Sequence, residues 1–123
     1  MSRDEAKAGA GPLESLSGLD RLLEHRVRLA VCVLLSRSDQ VSFSRLLVLT
    51  GETNGNLGAN LRRLEEAGYI AVKKEFADRR PVSWYRLTRQ GRSALKGHIA
   101  ALDALLHPPA GDRAHSDGER AQG

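Results

Sequence analysis

Thr53-Asn-Gly-Asn-Leu-Gly-Ala-Asn-Leu-Arg-Arg-Leu-Glu-Glu-Ala-Gly-Tyr-Ile70, continued by Ala71-Val-Lys-Lys-Glu-Phe-Ala-Asp-Arg-Arg-Pro-Val-Ser-Trp-Tyr-Arg-Leu87, decides the fold. Leu57, Leu61 and Leu64 share one helical face at about 100° per residue. Thr53 supplies an N-cap hydroxyl and Gly68 a helix terminator, so the spacing predicts a helix over about 53–67. A second reading stays open, in which Thr53-Asn-Gly is a turn and the helix starts at Asn56. Beyond Gly68 the period becomes that of strands. Residues 69–76 and 82–87 read as two strands joined by the polar connection Ala77-Asp-Arg-Arg-Pro81. The result is a helix running into an antiparallel ribbon with a basic tip.

Working outward toward the N-terminus, Ser42 is an N-cap for a short helix over about 43–49, with Phe43, Leu46 and Leu47 facing inward. Thr50-Gly51 ends it, and Val41 falls in a very short strand. A short helix, a few residues containing glycine and a longer helix form the helix-turn-helix signature. Further out, Leu13, Leu16, Leu19, Leu22 and Leu23 predict a first helix to about Glu24. A second helix, about 26–37, is apolar on much of its circumference, as a central helix must be. On the C-terminal side Thr88 caps a last helix to about Leu106, with a seam of Leu95, Ile99, Leu102, Leu105 and Leu106. Pro108-Pro109 end it.

The fold class is therefore mainly α with a small β-ribbon. It is a winged helix-turn-helix of about five helices and a wing sheet of two to three strands. Residues 13–107 form the domain, and 1–12 and 108–123 are expected as disordered tails too polar to offset their ordering entropy. A domain of this size buries a modest share of its surface, so dimerisation helps it. The first and last leucine seams each need a partner; Leu13, Leu16, Leu19, Leu23, Leu95, Ile99, Leu102 and Leu106 are the expected dimer interface.

Charge narrows the function. The chain carries a formal +4 and a pI of about 9.7. Between Glu52 and Arg92 nine cations (Arg62, Arg63, Lys73, Lys74, Arg79, Arg80, Arg86, Arg89, Arg92) face five acids (Glu52, Glu65, Glu66, Glu75, Asp78). That stretch alone therefore holds the whole excess. Clustered Lys and Arg at this pI are the electrostatic footprint of a nucleic-acid binder. In a docked helix-turn-helix the second helix sets its N-terminal residues against base edges in the major groove. Here these are Thr53, Asn54, Gly55 and Asn56, with Ala59, Asn60 and Arg63 further along. Asparagine pairs with adenine N6/N7 and arginine with guanine O6/N7. Gly55 and Gly58 each cost a helix about 1 kcal/mol relative to alanine, which close approach to DNA or to the preceding helix would justify. Arg79 and Arg80 at the ribbon tip suit a narrow minor groove. Lys73, Lys74 and Arg86 suit phosphates, as do Ser42 and Ser44 near the third helix.

Other chemistry finds little support. Cys32 is the single cysteine and lies in an apolar run, where a thiol behaves as a small core residue. His107 and Asp103, four apart on one helix, read as a surface contact and not a metal site. No triad pattern or phosphate-binding glycine loop is present, so no catalytic residue, metal or cofactor is expected. No signal peptide or membrane span is expected either, and the chain reads as cytoplasmic.

The stretch from Leu19 to Leu106 resembles the MarR/ArsR-like winged-helix transcriptional regulators, closest to the small single-domain type. The likeness lies in Arg28-Leu-Ala-Val31, Val41-Ser-Phe-Ser-Arg-Leu46 and Asn56-Leu-Gly-Ala-Asn-Leu-Arg-Arg-Leu-Glu-Glu-Ala-Gly-Tyr-Ile70. It continues in Asp78-Arg-Arg-Pro81 and Tyr85-Arg-Leu-Thr-Arg-Gln-Gly-Arg92. The resemblance implies a homodimer on double-stranded DNA, usually repressing, with first and last helices at the dimer interface. Relatives often carry Ser where Gly58 stands and His where Asn60 stands, both used at the phosphate backbone, and Gly58 has no side chain to supply that contact. Many relatives sense metals or small molecules; no residue pattern here names an effector. The rival readings are a winged helix whose basic wing binds an acidic protein, and an antitoxin-like partner that binds DNA only within a complex.

Overall fold

In the computed structural model, which describes residues 16–107, Asp20 begins the folded core. Its carboxylate accepts from the backbone N–H of Leu22 at 2.9 Å and of Leu23 at 3.3 Å, capping a single 3-10 turn, Arg21–Glu24. The expected continuous helix up to Glu24 is therefore not formed. Helical structure at Leu16–Ser17 stops at Gly18, where glycine is costly within a helix and Asp20 competes for backbone donors. The expected tails and Leu13 lie outside the described residues.

The chain divides into two units. One is Asp20–Lys96; the other comprises the chain on either side, described over 16–19 and 97–107. The first unit contains helix α1 (Arg26–Ser36), strand β1 (Val41–Ser42) and helix α2 (Phe43–Thr50). Helix α3 (Asn54–Glu66) and strands β2 (Ile70–Ala77) and β3 (Arg80–Leu87) follow, then the first part of helix α4 (Arg89–Leu106). Four α-helices and a three-stranded antiparallel sheet, in the order β1-β3-β2, thus stand among the described residues, where about five helices were expected.

Each α-helix in this unit begins where a side chain satisfies an orphan N–H. His25 Nδ1 accepts from Val27 N at 3.2 Å and starts α1. Ser42 Oγ accepts from Arg45 N at 3.1 Å and starts α2, which ends on Gly51 in the left-handed conformation, φ 70°. Thr53 Oγ1 accepts from Asn56 N at 3.1 Å, so α3 begins at Asn54 and the alternative start at Asn56 is set aside. Thr88 Oγ1 accepts from Gly91 N at 3.0 Å and donates to the Gly68 carbonyl at 2.6 Å. A Cβ on Gly91 would lie 2.1 Å from the Tyr69 carbonyl oxygen, so only glycine lets α4 start this close to the loop after α3.

The core is built of leucine and valine, as the scarcity of aromatics requires. Val31, Cys32 and Leu35 of α1 are fully buried against Leu46 of α2 and Leu57, Leu61 and Leu64 of α3, with Ile70 and Leu87 closing the sheet side. Each fully buried leucine contributes about 2 kcal/mol of transfer free energy. Leu23 and Leu95 belong to this cluster, at 0% and 8% exposure, and so are not interface residues. No described helix is long and apolar enough to cross a membrane.

Candidate nucleic-acid interface

Because Leu57, Leu61 and Leu64 turn inward, α3 presents its other face outward. Thr53, Asn54, Gly55, Asn56, Ala59, Arg62 and Arg63 are exposed there, and Gly58 is half-exposed. Seven of these eight positions lie in the helix whose first-turn N–H groups and positive dipole end favour an anion. A Cβ at Gly55 or Gly58 would meet nothing within 4 Å, so packing against α2 does not require glycine at either position.

Asn60 is placed differently from expectation. It is 5% exposed, and its side chain is used inside the protein. Arg28 of α1 donates through Nη1 to Asn60 Oδ1 at 2.8 Å, and through Nε to the Leu22 carbonyl at 2.8 Å. Asn60 Nδ2 in turn donates to the Asn56 carbonyl at 2.9 Å and reaches Asn56 Oδ1 at 3.4 Å. Asn56 Nδ2 donates to Glu52 Oε1. Burial first, then the nearby charge of Arg63, pulls the Arg28 guanidinium below its ordinary pKa. A buried polar group must be partnered, and here the partners run from α1 to the mouth of α3.

The wing is a hairpin with a two-residue turn. Ala77 pairs with Arg80, leaving Asp78 and Arg79 as the turn, at φ 52° and 67°. Two successive positive φ values make a type I′ turn, whose twist matches that of the strands. Strands therefore reach further toward the tip than the expected five-residue connection. Pro81 sits in β3 opposite Phe76 without breaking it. Alternation from the Ala77–Arg80 pair points the Pro81 nitrogen away from β2, toward the side where β1 pairs only with Trp84 and Tyr85.

Period-two alternation also sorts the wing cations. Lys73, Arg80 and Arg86 share a face with Trp84, whereas Lys74 lies on the opposite face with Phe76 and Ser83. Lys73 pairs with Glu75 at 3.2 Å, both well exposed, an ion pair of little weight for stability. Phe76 at the tip is 77% exposed. Tyr85 packs against the core, and its hydroxyl is pushed up by burial and then by Glu65 of α3. Ser42 is occupied as the α2 cap, and Ser44 is exposed beside it.

A family model described as winged helix DNA-binding domain matches residues 27–106, most of the chain. The chain belongs to this winged-helix DNA-binding family. An uncharacterized protein of Methanocaldococcus jannaschii is 33% identical over 73 residues, 59% of this chain and 79% of that protein. A transcriptional regulator homologue from Pyrococcus horikoshii superposes with a TM-score of 0.70 at 28% identity, covering 76% of this chain and 94% of that one. E. coli MarR, in a mutant form, superposes at 0.61 and 17% identity, over 83% of this chain and 82% of its own, a likeness of fold. The winged-helix family and MarR-like fold are those of DNA-binding transcriptional regulators and not of enzymes.

Sequence reading singled out the start of α3 and the basic wing of this winged-helix chain, and both are exposed. It missed the part of Arg28. The one signal available was Arg28 between Val27 and Val31 in the apolar helix 26–36, where a half-buried guanidinium needs acceptors. Glu52 was counted only as an acid. Its position before the Thr53 cap, four residues from Asn56, is the spacing of a side-chain pair on one helical turn.

Proposed function

We propose that this protein is a sequence-specific regulator of transcription that binds double-stranded DNA as a homodimer and acts as a repressor. The observation that carries this reading is the exposed polar face at the start of α3 together with a strand ribbon tipped with Arg79 and Arg80. In the proposed complex α3 enters the major groove. Thr53, Asn54, Gly55, Asn56 and Ala59 lie nearest the bases, with Arg63 toward a guanine or a phosphate. The wing lies along the minor groove with Arg79 and Arg80 inserted, while Lys73, Lys74, Arg86 and Ser44 meet phosphates.

Dimerisation rests on α4. Ile99, Leu102 and Leu106 are 46%, 36% and 75% exposed and recur at helical spacing, and Leu16 is 46% exposed. Large apolar side chains in such a row are what a second copy would cover. A small-molecule effector is compatible with this reading, and double-stranded DNA as target places the protein inside the cell.

Selection of bound duplexes from a random-sequence pool tests the function, with sedimentation at micromolar concentration testing the assembly. The expected result is an enriched inverted repeat and a dimer mass. Recovery of no enriched sequence would refute sequence-specific binding, and a monomer mass would refute the homodimer. Capture of an acidic protein by the wing, without DNA binding, would favour the rival reading.

A further inference from the structure

The polar chain behind α3 has a sense of direction. At one end a guanidinium can only donate, and at the other an ionised carboxylate can only accept. Arg28 therefore obliges Asn60 to turn Oδ1 toward it, at 2.8 Å, and Nδ2 away. Nδ2 then meets Asn56 on its carbonyl at 2.9 Å and on Oδ1 at 3.4 Å. The Asn56 amide oxygen is thus turned inward, and its Nδ2 faces out beside Glu52, to which it donates. Arg28 thus orients Asn60, which is sealed from water at 5% exposure, and Glu52 orients Asn56, the two amides meeting through the Asn56 carbonyl and, at longer range, its Oδ1.

We propose that the Arg28–Asn60 contact sets the base preference of Asn56, presenting it as a donor beside the acceptor Glu52 so that the pair reads a G·C base pair. This rests on the DNA-binding reading above. An asparagine that reads adenine must offer both its oxygen and its nitrogen, and here the oxygen faces inward, 3.4 Å from Asn60 Nδ2. The second N–H of Asn56 Nδ2 instead suits guanine O6 or N7, and the second Glu52 oxygen accepts from cytosine N4. A G·C pair places those acceptors and that donor side by side in the major groove. Arg28 touches no base in this scheme; it is a positioning residue acting through Asn60.

Selection from a pool of random-sequence duplexes, run in parallel on wild type and variants with thermal melts of each, tests the proposal. Wild type is expected to enrich a G·C pair that Asn56→Ala relaxes by about tenfold, the value of one good base contact. Arg28→Met should relax preference at that same pair and leave the other positions and the salt dependence unchanged. Asn60→Asp keeps an acceptor for Arg28 but replaces the inward-facing donor by an oxygen. With that oxygen set against the Asn56 carbonyl and amide oxygens, the Asn56 side chain loses its inward partner, and preference at that pair should relax. Glu52→Gln removes no core contact and should loosen the same position, which keeps the test open if the Arg28 and Asn60 changes unfold the protein. Unchanged preference at the Asn56-dependent pair in the folded variants, or no position that depends on Asn56, overturns the proposal. Binding of no duplex by wild type overturns the DNA-binding reading itself, a separate and recognisable failure.

Discussion

Tyr69 Oη donates to Asp20 Oδ2 at 2.5 Å, joining residues 49 apart in sequence, while the other Asp20 oxygen caps the turn at Leu22 and Leu23. One carboxylate therefore ties the loop after α3 to the chain entering α1. Burial first, then this hydrogen bond to Asp20, pushes the Tyr69 hydroxyl from 10.0 up to about 12. Cys32 rises from 9.0 to about 12, mainly through burial. Both groups are neutral when protonated, and the unfolded chain loses those protons first as pH rises. Their contribution is complete below the unfolded values and is lost as pH climbs toward about 12. Urea unfolding from pH 8 upward should show stability falling with pH, with a shallower fall in Tyr69→Phe. At neutral pH that variant should lose about 1–2 kcal/mol. An identical alkaline slope in the variant would contradict the assignment.

Arg28 satisfies two acceptors at once, the Leu22 carbonyl and Asn60 Oδ1. Arg28→Met keeps the apolar stem and removes the donors, leaving a buried amide oxygen unpaired. It should cost about 1–3 kcal/mol, read as a lower urea midpoint at unchanged m-value. A midpoint equal to wild type would show that the pair contributes nothing net.

Gly58 stands in the middle of α3 with open space where a Cβ would be. Gly58→Ala should therefore stabilise the free protein by about 1 kcal/mol. If the glycine is kept for close approach of DNA, the same variant binds duplex more weakly. Higher melting temperature with lower affinity is the expected pair of results; a gain in stability with unaltered affinity would remove the close-approach explanation.

Arg79 occupies a left-handed position at φ 67° without being glycine. Such a conformation costs an L-residue about 1 kcal/mol, and strain of this kind concentrates at functional positions. Arg79→Gly should raise thermal stability slightly while lowering DNA affinity for all sequences alike. Thermal melting and binding to unrelated duplexes check the two halves separately; unchanged affinity would show that the tip arginine does not meet DNA.

How much of this was legible follows the range of the forces involved. The start of α3 was readable because a cap is local: Thr53 needs only Asn56, three residues on. The hairpin was readable as a hairpin, but its turn was drawn too long. Asp78-Arg79 lacks the glycine that usually marks a two-residue loop, and Pro81 looks like a strand breaker until the end of β1 beside it is known. Asn60 was misplaced because a helical projection leaves it on the flank of α3. Its side chain is bonded by Arg28, 32 residues away, which no local pattern reports. Leu23 and Leu95 repeat with the seams around them, yet tertiary packing claims them for the core. Periodicity says that a leucine will be covered, and not by what.

The central claim is that the α3 and wing surface binds the phosphate backbone of DNA. Its most direct test is the affinity for a labelled duplex as a function of salt, by fluorescence anisotropy. Log K is predicted to fall linearly with log salt, with a slope of about 0.9 for each phosphate neutralised. Affinity that does not change with salt, or no binding at low salt, would contradict it.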